Sequence, residues 1–243
     1  MLELEKQNIH RNRLKSQTTT QVTLDDDFIV PDTMSDIGEV ILDSGVVLLE
    51  PVKVQRERLT VRGKLEFHVL YRREEGGLQT LGGTIPFEEA VNVPDLEEKD
   101  YVSVSWQIDD LNTEMIHSRK LGIKALVTLE AKAEALFDTA AAVRAEGAGE
   151  SAGDENRLQV KTETLPAAAI ALRRKDTYRV KQDITLPGSK PAIERMLWTE
   201  MKLSACQAKP LDGQIHLEGT LLVFALYEGG ESGLVQWACP SSS

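Results

Sequence analysis

Few residues in this chain combine a reactive type with a spacing that chemistry can use. The four histidines, His10, His68, His117 and His216, are scattered. His117-Ser118-Arg119-Lys120 sets a hydroxyl beside an imidazole and two cations. An activated nucleophile needs a base that is itself oriented by a third group, and no neighbouring residue supplies one. Asp25-Asp26-Asp27 gathers hard oxygen ligands. A calcium loop spaces its ligands around a turn glycine, which is missing here, so a solvated acidic turn is expected. Cys206 and Cys239, without a companion histidine cluster, are too few for structural zinc. They read either as two small buried thiols or as a disulfide. Dinucleotide, phosphate-loop, zinc-protease and nucleophile-elbow motifs are missing. No catalytic residue, metal or cofactor is expected.

The remaining candidates are contacts rather than catalysts. Arg56, Arg58, Arg62, Lys64, Arg72 and Arg73 fall on the polar phase of an alternating stretch. They are either the wet face of a sheet or, with Arg119 and Lys120, a docking surface for an acidic partner. The formal net charge of -11 argues against non-specific nucleic-acid binding and against an acidic membrane surface. No apolar run approaches the roughly 18 to 20 residues of a membrane-spanning helix. Met1 to Lys15 is polar and lacks the apolar stretch of a secretory signal, so synthesis in the cytoplasm is expected.

The elements that would carry these residues are mostly strands. Hydrophobic residues make up 41% of the chain and aromatics 5%, so the core rests on Val, Leu and Ile. Met1 to Gln17 is a basic, amide-rich arm, helical or disordered. Thr18 to Val30 reads as a strand, the acidic turn, and an extended segment stopped by Pro31. Ile37, Val40 and Ile41 lie at helical spacing behind the possible caps Asp32, Thr33 and Ser35, which predicts a short helix over 32–42. From Val46 the period becomes two. Leu59 and Val61, then Leu65, Phe67 and Val69, share one face, and Gly63 between them marks a bulge or a tight contact. Glu74 to Gly77 is a hairpin turn. Tyr101 to Ile108 and Leu121 to Leu129 are further strands.

A repeat organises the rest. Phe28-Ile29-Val30-Pro31 returns in residue class as Ile184-Thr185-Leu186-Pro187, an offset of 156 residues. The same offset carries Ile37 to Ile193, Gly63 to Gly219, Leu70-Tyr71 to Leu226-Tyr227 and Gly77-Leu78 to Gly233-Leu234. The expected organisation is a basic arm (1–17), a first β module (18–137), an Ala/Gly/Glu-rich linker (138–165) and a second, incomplete β module (166–243). In the second module Tyr178 to Leu186 is an expected strand and Pro191 to Leu197 an expected short helix. The fold class is mainly β: two repeated antiparallel β-sandwich-like modules, each with one short helix, the second truncated. Leu217, Leu221 and Val223 should then lack partners.

The string VTLDDDFIVPDTMSDIGEVI, the strand ending LEFHVLY, and the blocks IPFEEAV and IHSRKL together resemble the SPOCS domain. That domain occurs in SipL-type spore coat and cortex morphogenesis proteins of Clostridia and related spore-formers. The resemblance runs from about Gln17 to Leu136. It rests on Pro31-Asp32 with Asp36-Ile37, on Pro86-Phe87 and on Ser118-Arg119-Lys120. It implies no enzymatic activity. It implies an assembly role, in proteins built from several such modules and often ending in a LysM domain, which is not recognisable here. It places the chain on the spore surface or coat, with itself or other coat proteins as partners.

Two classes of function follow. The first is a non-enzymatic assembly protein whose modules associate through β structure, with strand complementation between copies. The alternative is a soluble module for carbohydrate or peptide. That would need an aromatic platform, for which Trp106, Trp198 and Trp237 are the candidates. Trp106 and Trp237 sit in apolar phase, which favours a place in the core.

Overall fold

A computed structural model of the chain describes residues 3–146, 161, 163, 164, 166, 168–173, 177 and 179–242. Among these the regular elements are ten strands and one 3-10 turn, Gly230–Ser232. The strands are β1 (Glu3–Ile29), β2 (Ile37–Leu49), β3 (Lys53–Gln55), β4 (Arg58–Arg73), β5 (Leu78–Asn92), β6 (Tyr101–His117), β7 (Lys120–Glu146), β8 (Arg195–Leu211), β9 (Gln214–Glu228) and β10 (Leu234–Ser242). They form three antiparallel sheets. A long sheet has the order β1-β7-β6. In a central sheet β2 and β3 both lie on one side of β4 and β5 on the other. A distal sheet has the order β10-β9-β8.

Period-two patterning explains the main core. Leu59, Val61, Leu65, Phe67, Val69 and Tyr71 of β4 are buried on one face. They pack against Leu121, Ile123, Ala125, Val127, Leu129, Ala131 and Ala133 of β7 in one cluster. Because side chains alternate across a strand, the even-numbered Arg62, Lys64 and His68 are left in solvent. β4 and β7 are the middle strands of their sheets, so the most continuous apolar rows occupy the most covered positions. Gly63 makes a tight contact rather than a bulge. A Cβ there would lie 2.7 Å from the Leu48 carbonyl oxygen and 2.9 Å from the Phe87 ring, and the pairing of β4 with β5 runs past it unbroken.

Several local expectations give way to strands. Residues 32–42 hold no helix: a turn leads into β2 at Ile37. Register shifts at Ile37/Glu39 and Val40/Leu42 show why the pattern misled. Each inserts an extra residue, so Ile37 and Val40 reach the core side at a spacing of three, which imitates a helix. The same cause acts at the second expected helix. Residues 191–193 are irregular, β8 begins at Arg195, and a shift falls at Met196/Trp198. The basic arm is strand from Glu3, the first part of β1, paired antiparallel with β7 through two bulges. Asp25 to Asp27 continue β1 rather than turn, because Lys124 and Lys120 on β7 neutralise Asp25 (3.4 Å) and Asp27 (2.6 Å). β7 runs to Glu146, into the stretch expected as linker; residues 147–160 lie outside the described residues. Residues 179–187 are not strand.

The distal sheet reproduces the pairing of the central sheet at the 156-residue offset. Val47 faces Leu65 and Leu203 faces Leu221. Gln55 faces Arg58 and Leu211 faces Gln214. Arg72 faces Leu78 and Glu228 faces Leu234. Even the left-handed turn residue recurs, as Glu57 (φ 58°) and Gly213 (φ 74°). One end of the distal sheet touches the central sheet, where Leu197 and Trp198 bury Leu70 beside Leu78, Phe224 and Leu226. Arg195 donates to the Leu78 carbonyl at 2.9 Å across the same contact.

Candidate functional site: an arginine clasp and an open sheet face

Four of the residues singled out from the first half of the sequence, Pro31, Asp32, Asp36 and Arg119, meet in one clasp. Segment 30–36 leaves β1 and must cross to the start of β2. The β6–β7 hairpin turn meets it there. Val30 donates its amide to the Arg119 carbonyl (3.0 Å) and Ile37 donates to the Ser118 carbonyl (2.9 Å). The Arg119 guanidinium fills the loop. One terminal nitrogen donates to the Met34 carbonyl at 2.6 Å and to Asp36 Oδ1 at 3.0 Å. The other reaches the carbonyls of Val30 (3.1 Å) and Pro31 (2.9 Å) and Asp32 Oδ1 (3.3 Å). Ser118 Oγ donates to Asp36 Oδ2 at 3.1 Å. A planar fork of fixed donors suits this cluster of carbonyl oxygens in a way an ammonium cannot. So Pro31, Asp32, Asp36 and Arg119 form one unit, and its chemistry is fastening. Lys120 ends on Asp27 instead.

Tyr71 closes the far side of the loop, donating to the Ser35 carbonyl at 3.1 Å. Burial pushes its phenol up from the ordinary value, while Arg119 and Arg73 pull the other way. At the offset of 156, Tyr227 donates to the Pro191 carbonyl at 3.0 Å. The loop amide bond from Met34 to the Pro31 carbonyl likewise recurs from Lys190 to Pro187, each at 2.9 Å. The acidic partners do not recur: Gly188 stands in the place of Asp32 and Ala192 in that of Asp36.

The second arrangement is the distal face corresponding to the buried face of the central sheet. There Leu65 is 0% exposed and Val61 is 0% exposed. Their counterparts are Leu221, which is half-buried, and Leu217, which is 55% exposed. Met201, Leu203 and Ile215 on the same face are exposed, and Val223 is half-buried. The three expected unpartnered residues, Leu217, Leu221 and Val223, thus share one face of β9. Only its end is closed, by Ala225 and Tyr227, both buried.

Residues 36–116 match the family model described as SipL, SPOCS domain. This part of the chain is similar to a SPOCS domain. The match covers about a third of the chain, from Asp36 of the clasp to the end of β6. Pro86 and Phe87 lie within it, on β5. Pro86 is tolerated because β5 is an edge strand. Comparison with curated proteins and with solved structures returned no match. No helix among the described residues is long and apolar enough to cross a membrane.

Outside the clasp, the basic residues of the central sheet form its wet face. Arg62 holds Glu88 through two bonds, at 3.0 and 3.2 Å, Arg72 meets Glu39 at 2.7 Å, and Arg56 and Arg58 are exposed. Cys206 and Cys239 are unpaired, and neither is buried. They sit on β8 and β10, with β9 between them. Two strand spacings of about 4.8 Å exceed the Cα separation a disulfide spans. Trp106, expected in the core, is 38% exposed because β6 is an edge strand.

Sequence reasoning missed a further cluster. Lys15, at a bulge of β1, reaches the buried Asp100 at 2.7 Å and Glu97 at 3.3 Å. Its bond to Asp100 holds the ammonium above the ordinary lysine range despite burial. Burial raises the Asp100 carboxyl, but Lys15 and the Glu97 amide outweigh it and leave it below the usual range. The polar arm contained the signal only as an isolated lysine.

Proposed function

We propose that this chain is a non-enzymatic assembly protein of the spore coat or envelope. It comprises two copies of one antiparallel β module, and a neighbouring molecule completes the second copy. The SPOCS match supports the sporulation context. The observation that carries the assembly reading is the distal face. It keeps the strand pairing and tyrosine bond of a sheet whose same face is fully buried, yet Met201, Leu203, Ile215 and Leu217 are more than half exposed. A contiguous apolar face rimmed by charge marks an interaction site. β modules associate through backbone and apolar rows without side-chain chemistry.

Light scattering across concentration, with negative-stain microscopy of the same samples, tests this reading. Ordered oligomers or fibres are expected, growing with concentration. A monomer near 26.9 kDa at every concentration would overturn it.

A further inference from the structure

The completing element can be named. Resting on the assembly reading above, we infer that the open distal face is the seat of the β1–β7 ribbon of a second copy of this chain. The face needs an opposing sheet about 10 Å away that presents alternate apolar side chains. The ribbon presents such a row. β6 begins at Tyr101, opposite Glu134. Beyond that point β1 and β7 continue as a pair, from Arg13 opposite Ala135 to Glu5 opposite Arg144.

In β7 the odd-numbered residues Leu121 to Ala133 face the main core. The same parity carries on to Ala135, Phe137, Thr139 and Ala141, up to a bulge at Val143 between the pairs Lys6–Ala142 and Glu5–Arg144. This row is the direct continuation of an established sheet-to-sheet interface, past the end of the sheet that covers it. Phe137 is 41% exposed. Ile9 of β1 stands opposite Thr139 and adds to the row. Arg11 and Arg13 stand opposite Phe137 and Ala135. Their stems widen the strip while the guanidinium groups end in water at its rim. The Ile170 amide donates to the His10 carbonyl at 2.9 Å along the β1 edge of this ribbon, and so narrow a ribbon is marginal in water, so it too gains from cover.

A swapped β6–β7 hairpin is the competing occupant, since it is what covers the central sheet. It would bring Arg119 over Gly188 and Ala192, where the carboxylates of Asp32 and Asp36 have no counterpart. A guanidinium deprived of its acidic partners is costly to bury. The apolar row of the ribbon makes no such demand. The contact joins two different surfaces, so copies associate head to tail and form a filament or a closed ring.

Phe137→Asp spoils the ribbon and Leu217→Asp spoils the face. Both positions are exposed, at 41% and 55%, and circular dichroism with thermal melting confirms folding; Phe137→Ser and Leu217→Ser replace them if either Asp variant is unfolded. In the full chain each variant alone should need at least about tenfold higher concentration to assemble. An equimolar mixture should stop at a one-to-one dimer, because one variant keeps its face and the other its ribbon. If Leu217→Asp abolishes assembly but Phe137→Asp does not, the ribbon is the wrong occupant while the open-face reading stands. A mixture that stays monomeric also overturns the ribbon. If both variants assemble like the unaltered chain, both readings fall.

Discussion

The central and distal sheets share a pairing scheme and differ in what lies on top of them. In both, the hairpin returns through a left-handed residue, Glu57 or Gly213, and a buried tyrosine holds the entering segment. Over the central sheet lies the long sheet, and the apolar row of β4 is sealed. Over the distal sheet the corresponding row of β9 grades from buried Tyr227 to exposed Ile215. Strand pairing is therefore specified locally, by alternation and turns, whereas burial is conferred by the covering layer. Equivalent substitutions in the two sheets should separate these contributions.

The largest difference is expected at Leu65 and Leu221, which occupy the same place in the two schemes. Leu65→Ala removes a fully buried side chain and should cost about 2–5 kcal/mol. Leu221 is half-buried, so Leu221→Ala should cost less than about 1.5 kcal/mol in dilute solution, in proportion to the smaller area lost. Denaturant unfolding at low concentration measures both. Equal costs would mean that the distal face is already covered within one molecule, and the comparison would break.

The same contrast explains what the sequence made legible. The long rows of β4 and β9 were readable because a central strand buries one whole face, which enforces period two. The turns at 74–77 and 228–230 were readable from their glycines. The clasp was visible only as scattered residues: Pro31, Asp32, Asp36 and Arg119 are drawn together by a contact between distant hairpins. β2 and β8 were misread where bulges break the period. The first part of β1 was missed because Ile9 is the one apolar residue between Glu5 and Arg13, so that strand carries no apolar alternation to read. The ion pair of Lys15 with Asp100 spans two segments far apart in sequence, so no local pattern announces it.

Next in size is the clasp, which fastens one sheet and has no acidic counterpart in the other. Arg119→Ala should destabilise the chain by about 2–3 kcal/mol, the scale of charge-assisted bonds to partly buried oxygens. Arg119→Lys should recover little of this, since an ammonium cannot span the same five oxygens. Hydrogen exchange sharpens the result. Amides of residues 30–37 should exchange faster in Arg119→Ala, while residues 186–193, whose loop has Gly188 and Ala192 in place of the aspartates, should be unchanged. If segment 30–37 stays protected and the stability loss is under about 0.5 kcal/mol, the arginine is a surface ornament and the fastening lies in Tyr71 and the backbone.

The smallest expected effect tests the part the two sheets share. Glu57 adopts φ 58°, a conformation that costs an L-residue about 1–2 kcal/mol. Its backbone is held by Leu96 and Val93, at 2.9 and 3.0 Å, and those bonds survive Glu57→Gly. That substitution should stabilise the central sheet by about 0.5–1 kcal/mol, because the relief exceeds the extra unfolded-state freedom of glycine. Gly213→Ala is the mirror experiment. A Cβ there meets nothing within 4 Å, so the cost of about 1 kcal/mol arises from the backbone alone. Opposite signs at the two positions, read from thermal midpoints at one concentration, would show that both hairpins use the same turn. If Gly213→Ala is neutral, the distal turn relaxes to another shape, and the shared scheme would then rest on the alternating rows and the tyrosines rather than on the turn.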